Sequence, residues 1–335
     1  MFYSQNNRKS HHGLVLIVCF GISPLCISAY GSERNENQLH ALTAVLCDGE
    51  EVCYTYELPR IIDKESASSM EEFNGAGKKR FRLTTDHYEI IASLPEVANL
   101  AGERLEHLYN VWKLFSAEAW KEMKDDPVLR PHRVIVYSNK EEYVFNLQHI
   151  DPFIVQTNGY YFAPRKTAYF YSPESKVLFH EGTHQIFVER FFPDKKPAFR
   201  NNFWVVEGIA LFMETLKVEE NCYKIGNILD NRLYAAKIYQ FEQDYNMPIR
   251  KLAAMSAAEI QASQEMIRIY SQSATLVHWL MFVEEGRYRS QLFELLRRTY
   301  FDTATPETLS ELTEQSYEEL DKHYVEFLKM VPDEK

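Results

Sequence analysis

LFHEGTHQIF, residues 178–187, sets two histidines four apart with a glutamate directly after the first. On an α-helix, residues four apart lie one above the other, so His180 and His184 can each aim a ring nitrogen at a single point. A zinc ion there would stand ~2.0–2.1 Å from each nitrogen. Glu181 is displaced round the helix from His180, far enough to miss the ion and near enough to reach a water beside it. Two ligands, plus a general base for the water that the ion activates, are the mechanical content of H-E-x-x-H. Val177, Leu178 and Phe179 before the motif, and Ile186, Phe187 and Val188 after it, fit a buried helix that walls the site off from water. The competing account is a surface helix whose histidines hydrogen-bond locally. A third ligand separates the two, because catalytic zinc takes three protein groups and keeps one position open.

FWVVEGIALFME, residues 203–214, supplies a candidate. Glu207 sits among Val205, Val206, Ile209, Ala210, Leu211 and Phe212. A lone carboxylate on so apolar a helix has to be paired, protonated or bound to a metal. Two histidines and a glutamate form an established catalytic zinc set. A buried glutamate satisfied by a nearby tyrosine or arginine is the alternative. Gly208 and Ala210 are small enough to let this helix pack closely on the first.

Outward from these helices the pattern gives an α+β architecture, strands and one long helix first and a helical bundle after. HYEIIAS (87–93) and HRVIVYS (132–138) read as strands. Between them Ser93 and Glu96 form a capping-box pattern with Pro95 in the first turn. Val97, Leu100, Leu105, Leu108, Trp112 and Phe115 follow at helical spacing. Asn139 and Glu142 cap a short helix. NGYYFAP (158–164) and TAYFYS (167–172) read as aromatic strands joined by a basic turn, and Ser172–Pro173 as the start of the motif helix. Nearly everything beyond residue 200 reads as helix, with Gly286 as a C-cap. The divisions expected are a leader over 1–31, an N-terminal appendage and polar linker over 32–82, an α+β unit over 83–200 and a helical unit over 201–335. Within the second, residues 43–59 read as a hairpin and 63–80 as the linker.

HEGTH followed by WVVEGIALFME resembles the gluzincin pattern, H-E-x-x-H and then W-x-x-E-G-x-A-x-x-x-E, of thermolysin-like and aminopeptidase-like zinc peptidases. The nearest resemblance is to small exported peptidase MA-like domains of bacteria, over about residues 84–330. It implies a zincin-like fold in which His180, His184 and Glu207 bind Zn2+, Glu181 is the base and Glu214 is a second acid that supports the site. It also implies that Tyr270 in RIYSQSATLVHWL stabilises an oxyanion, although Ser273 stands where the family signature has glycine. An aromatic core residue is the competing account of Tyr270. His278 is either another donor or a core histidine. Asn158, Gly159, Tyr160 and Tyr161 fall on the edge strand to which an extended peptide would add. The acidic signature by which aminopeptidases read a free N-terminus is missing there, which argues against strict aminopeptidase specificity.

Composition narrows the setting. Of 335 residues 45% are hydrophobic, enough for a substantial core. Arg8 and Lys9 precede the apolar run GLVLIVCFGISPLCISAYG, with small residues Ala29 and Gly31 at its end, a signal-peptide pattern cleaved after Gly31. An uncleaved anchor is the alternative. Loss of residues 1–31 removes two basic residues and no acidic ones, taking the formal charge from −11 to −13. So acidic an exported chain repels phosphates and is a poor partner for nucleic acid or anionic lipid. Its expected partner is a peptide or protein substrate. Cys47 and Cys53 flank a turn-forming Asp-Gly and are a candidate disulfide, or two free thiols. Cys222, as a fourth ligand, would turn the zinc site into a structural one. The readings to separate are therefore a zinc peptidase, a zinc-stabilised binding domain, and a zinc hydrolase of a non-peptide amide or ester.

Overall fold

A computed structural model describes residues 45–47, 51–53, 56–59, 68–75, 78–119, 130–191, 197–220 and 222–333. The leader expected over 1–31 lies outside them. Among the described residues no helix is long and apolar enough to cross a membrane.

The first strands are β1 (Val45–Cys47), β2 (Glu51–Cys53), β3 (Tyr56–Pro59), β4 (Ser69–Gly75), β5 (Lys78–Thr84) and β6 (Tyr88–Ala92). Then come α1 (Pro95–Ala119), β7 (His132–Val136), α2 (Lys140–Leu147), β8 (Gly159–Phe162), β9 (Thr167–Phe170), α3 (Ser175–Phe191) and α4 (Phe203–Met213). A short hairpin, β10 (Lys217–Val218) and β11 (Cys222–Ile225), leads into α5 (Asn231–Glu242), α6 (Ile249–Ala254), α7 (Ala257–Gln261), α8 (Met266–Gly286), α9 (Arg289–Tyr300), α10 (Thr308–Thr313) and α11 (Tyr317–Met330). The chain is mixed α+β, as its pattern implies.

A six-stranded mixed sheet runs β4-β5-β6-β7-β9-β8. Its inner strands β6, β7 and β9 are parallel, and each flank is antiparallel. Leu83, Tyr88, Ile90, Val134, Ala168 and Phe170 are buried on the face covered by α1 and α3. Close approach there depends on missing side chains. A Cβ at Gly102 of α1 would meet Leu83 Cδ2 at 2.8 Å, and one at Gly182 of α3 would meet Leu108 Cδ2 of α1 at 2.8 Å. On the other face α2 closes a smaller core of Tyr143, Leu147, Ile154 and Tyr169.

Several expectations needed correction. Ser69–Thr84, partly read as a polar linker, forms the β4–β5 hairpin at the sheet edge. Much of its surface is charged and open to solvent, and among its described residues only Leu83 of β5 reaches the core: Lys79 pairs with Glu72, Arg82 with Glu71, and the Arg82 guanidinium lies 4.9 Å over the Phe73 ring. The motif helix begins at Ser175, not at Ser172–Pro173. Beyond residue 200 the chain is nearly all helix, as expected, apart from β10 and β11; β11 pairs with β10 and with β3, tying the N-terminal part to the helical half. The atoms nearest Gly208 belong to α8 and not to α3: a Cβ there would stand 2.6 Å from Val277 Cγ2 and 2.7 Å from the Ser273 carbonyl oxygen. The expected hairpin does form between β1 and β2, with Cys47 opposite Glu51 and Cys53 opposite Val45. The cysteine side chains themselves, and so the candidate disulfide, lie outside the described residues.

Candidate metal centre

Helix α3 is buried along most of its length, from Leu178 to Phe191. Such a helix carries polar residues only where something meets them. His180 and His184 turn toward α4, while Glu181 turns toward β8.

Helix α4 is delivered by a fixed connection. Phe199 and Asn202 both take left-handed backbone angles, φ 46° and 52°. The Ala198 and Phe199 N–H groups donate to the Asp302 carboxylate, and the Asn202 N–H donates to the Ala253 carbonyl at 2.7 Å. Asn202 Nδ2 also donates to the Thr305 carbonyl. Hydrogen bonds of this number offset left-handed strain of about 1 kcal/mol or more per residue. All eleven residues of α4 are buried, and Glu207, 5% exposed, comes in its second turn facing the histidines.

The three side chains converge. His180 Nε2 and His184 Nε2 are 3.2 Å apart. Glu207 divides its oxygens between them, Oε2 at 3.6 Å from His180 Nε2 and Oε1 at 3.7 Å from His184 Nε2. A tetrahedral ion ~2.0–2.1 Å from its ligands would space them about 3.3–3.4 Å apart, so these separations fit one. Among the described residues this trio is the group that could hold a metal ion. Cys222 lies outside it, on β11, with its thiol toward Glu219.

A further layer fixes the ligands. His180 Nδ1 and Glu214 Oε1 are 2.8 Å apart, and Glu214 Oε2 meets Arg232 of α5 at 3.4 Å. The Tyr270 phenol stands beside the Glu207 carboxylate. Burial and that carboxylate together push the Tyr270 phenol above its ordinary value, so it keeps its proton. Burial alone would lower the His180 imidazole, but the Glu207 and Glu214 carboxylates beside it outweigh burial and raise it to about 10. Burial likewise opposes ionisation of Glu207, yet the imidazoles and the Tyr270 hydroxyl hold it below the ordinary carboxylate range. Glu207 is thus an anion held against the His180 cation, a charge pairing that a divalent ion could replace.

The remaining candidates divide. Glu181 Oε2 accepts from the Tyr161 N–H at 2.9 Å. Gly159 lies against α3, where a Cβ would meet Val177 Cγ1 at 2.7 Å and Glu181 Cγ at 3.0 Å. Asn158 turns the other way and accepts from the Tyr171 hydroxyl, and Tyr160 stacks near Phe162 with centroids 6.0 Å apart. His278 sits in the core, 2% exposed, with Nε2 3.0 Å from the Gly226 carbonyl oxygen. Sequence reasoning missed Arg232, which nothing in its surroundings marks. It also missed Glu189, which the four-residue spacing Glu181, Gln185, Glu189 on an apolar helix could have flagged.

Compared with known protein families the sequence matches no family model, and compared with curated proteins it has no significant match.

Proposed function

We propose that this chain is an exported zinc metallopeptidase of gluzincin type. The observation that carries the reading is the convergence of His180, His184 and Glu207 at 3.2–3.7 Å, with Glu181 on the neighbouring face of the same helix. Two imidazoles and one carboxylate suit zinc, and three protein ligands leave a position open, as a catalytic site requires. When bound, zinc supplies a Lewis acid and lowers the pKa of water. Glu181 removes the proton of the attacking water and passes it to the leaving amine. The Tyr270 hydroxyl offers a protonated donor to the charge that develops on the scissile carbonyl. Glu214 orients His180. The substrate chain would lie along β8, the edge of the sheet, using outward backbone groups other than the Tyr161 amide, which Glu181 takes.

The test is cleavage of a diverse peptide library by the zinc-loaded protein, with Glu181→Gln as control. Cutting by the wild type alone supports a peptidase whose base is Glu181. If both proteins hold zinc and neither cuts, the peptidase reading fails, and a zinc-stabilised binding domain or a non-peptide amide or ester substrate takes its place.

A further inference from the structure

Helix α3 carries a second polar stripe that the metal centre does not use. Glu181, Gln185 and Glu189 follow at four-residue spacing, and each bonds to the sheet. The Tyr161 N–H donates to Glu181 Oε2 at 2.9 Å. Gln185 Nε2 donates to the Arg133 carbonyl at 3.0 Å and to Glu189 Oε1 at 2.9 Å. The Tyr161 hydroxyl donates to Glu189 Oε1 at 3.2 Å, and Glu189 Oε2 stands 2.8 Å from His132 Nδ1. Tyr161 is therefore held at both ends by one helix, its amide by the proposed base and its phenol by a carboxylate two turns further on.

The centre of the stripe is buried: Gln185 is 0% exposed and His132, which meets Glu189 from β7, 2%, while Glu181 and Glu189 are half-buried. For folding alone, well-packed apolar side chains would serve as well as a buried charged network. What the Glu189 carboxylate adds is a fixed acceptor, braced by Gln185 and His132, for the Tyr161 hydroxyl. Strand β8 needs one, since it pairs with β9 on one side only and α3 flanks it. Among the described residues, the hydrogen bond that Glu181 makes through its side chain is the one from the Tyr161 amide. Where β8 rests on α3 therefore decides where the Glu181 carboxylate stands.

We propose that Glu189 is a positioning residue for Glu181, acting through the Tyr161 hydroxyl and the edge strand that carries it. The catalytic consequence rests on Glu181 being the base; the coupling itself is a property of the fold and is testable without turnover.

Two variants of the full chain test it. Tyr161→Phe removes the phenol bond while keeping ring and amide, and Glu189→Gln removes the charge at nearly constant volume. Amide hydrogen exchange resolved by NMR is the first readout. The residue-161 amide points away from β9 toward Glu181, whereas those of Tyr160 and Phe162 alternate to the β9 side. Exchange at residue 161 is expected to quicken by about 10-fold in both variants, with residues 160 and 162 unchanged and zinc affinity within about two-fold of wild type. On a peptide that the wild type cleaves, kcat falls about 10-fold and KM stays within about two-fold. Unchanged protection at residue 161 in both variants overturns the proposal. So does a uniform loss along β8, which would make Glu189 a packing residue only. If the wild type cleaves nothing, the peptidase reading fails by itself, and the exchange result alone decides this one.

Discussion

Nδ1 of His180 lies 2.8 Å from Oε1 of Glu214, which commits Nε2, the ring's other nitrogen, to the side where His184 and Glu207 stand. A carboxylate behind a ligating histidine fixes both its tautomer and its orientation. Glu214→Ala should weaken zinc binding by about 10–100-fold, as read by competition with a chelator. Arg232→Leu should cost only a few-fold, because its contact with Glu214 is longer, 3.4 Å, and its side chain is 37% exposed.

Glu207 has a distinct signature. A ligand that binds only the folded state adds about 2.7 kcal/mol of stability at a hundred times its Kd. Zinc should therefore raise the Tm of the wild type, and a chelator should reverse the gain. Glu207→Ala should show no such response at the same zinc concentration.

Gly159→Ala should separate binding from chemistry. The added methyl would press on Glu181 Cγ at 3.0 Å and Val177 Cγ1 at 2.7 Å without touching the ligands. Zinc affinity should hold while kcat falls about 10–100-fold, since small displacements of a catalytic group are costly.

Gly208→Ala should act through helix packing. The Ser273 carbonyl oxygen, 2.7 Å from the new carbon, is backbone and cannot rotate away. Denaturant unfolding of the metal-free protein should show a loss of about 1–3 kcal/mol. Zinc affinity should fall with it, because α4 carries Glu207.

His278 gives a pH prediction. Burial lowers its imidazole from 6.5 to about 4, against the hydrogen bond to Gly226. Between those values the unfolded chain binds a proton that the folded chain refuses. The contribution to stability is thus full above about pH 6.5 and is lost progressively as pH falls toward 4. The full loss is on the order of 3 kcal/mol. His278→Gln should show a smaller drop in Tm between pH 7 and pH 4.5 than the wild type does.

The parts of this molecule legible in its sequence are those where one physical demand dominates. Apolar patterning marked α1, α4 and α8, most of whose apolar residues answer to burial. His180 and Glu207 were legible because a polar side chain inside an apolar helix asks for a partner. The β4–β5 hairpin was not, because an edge that, among its described residues, sends only Leu83 into the core has the composition of a linker. Nor was Arg232, whose relation to Glu214 arises only when α5 packs against α8 and brings its first turn to the end of α4. Gly208 was marked as a close-packing residue but assigned the wrong neighbour, since a missing side chain says that something approaches and not what.

The pairing of β3 with β11 bears on where this protein can be cut. Tyr56–Pro59 covers one side of Cys222–Ile225, in a strand whose Tyr223 reaches into the core to His107. A chain begun at residue 83, where the pattern suggested a unit boundary, would bare that side of β11 and lose β4 and most of β5 from the main sheet. Two unpaired strand edges on one molecule invite edge-to-edge association. The smallest fragment that stays monomeric should therefore begin before Tyr56, and shorter ones should be recovered as aggregates however intact their metal ligands.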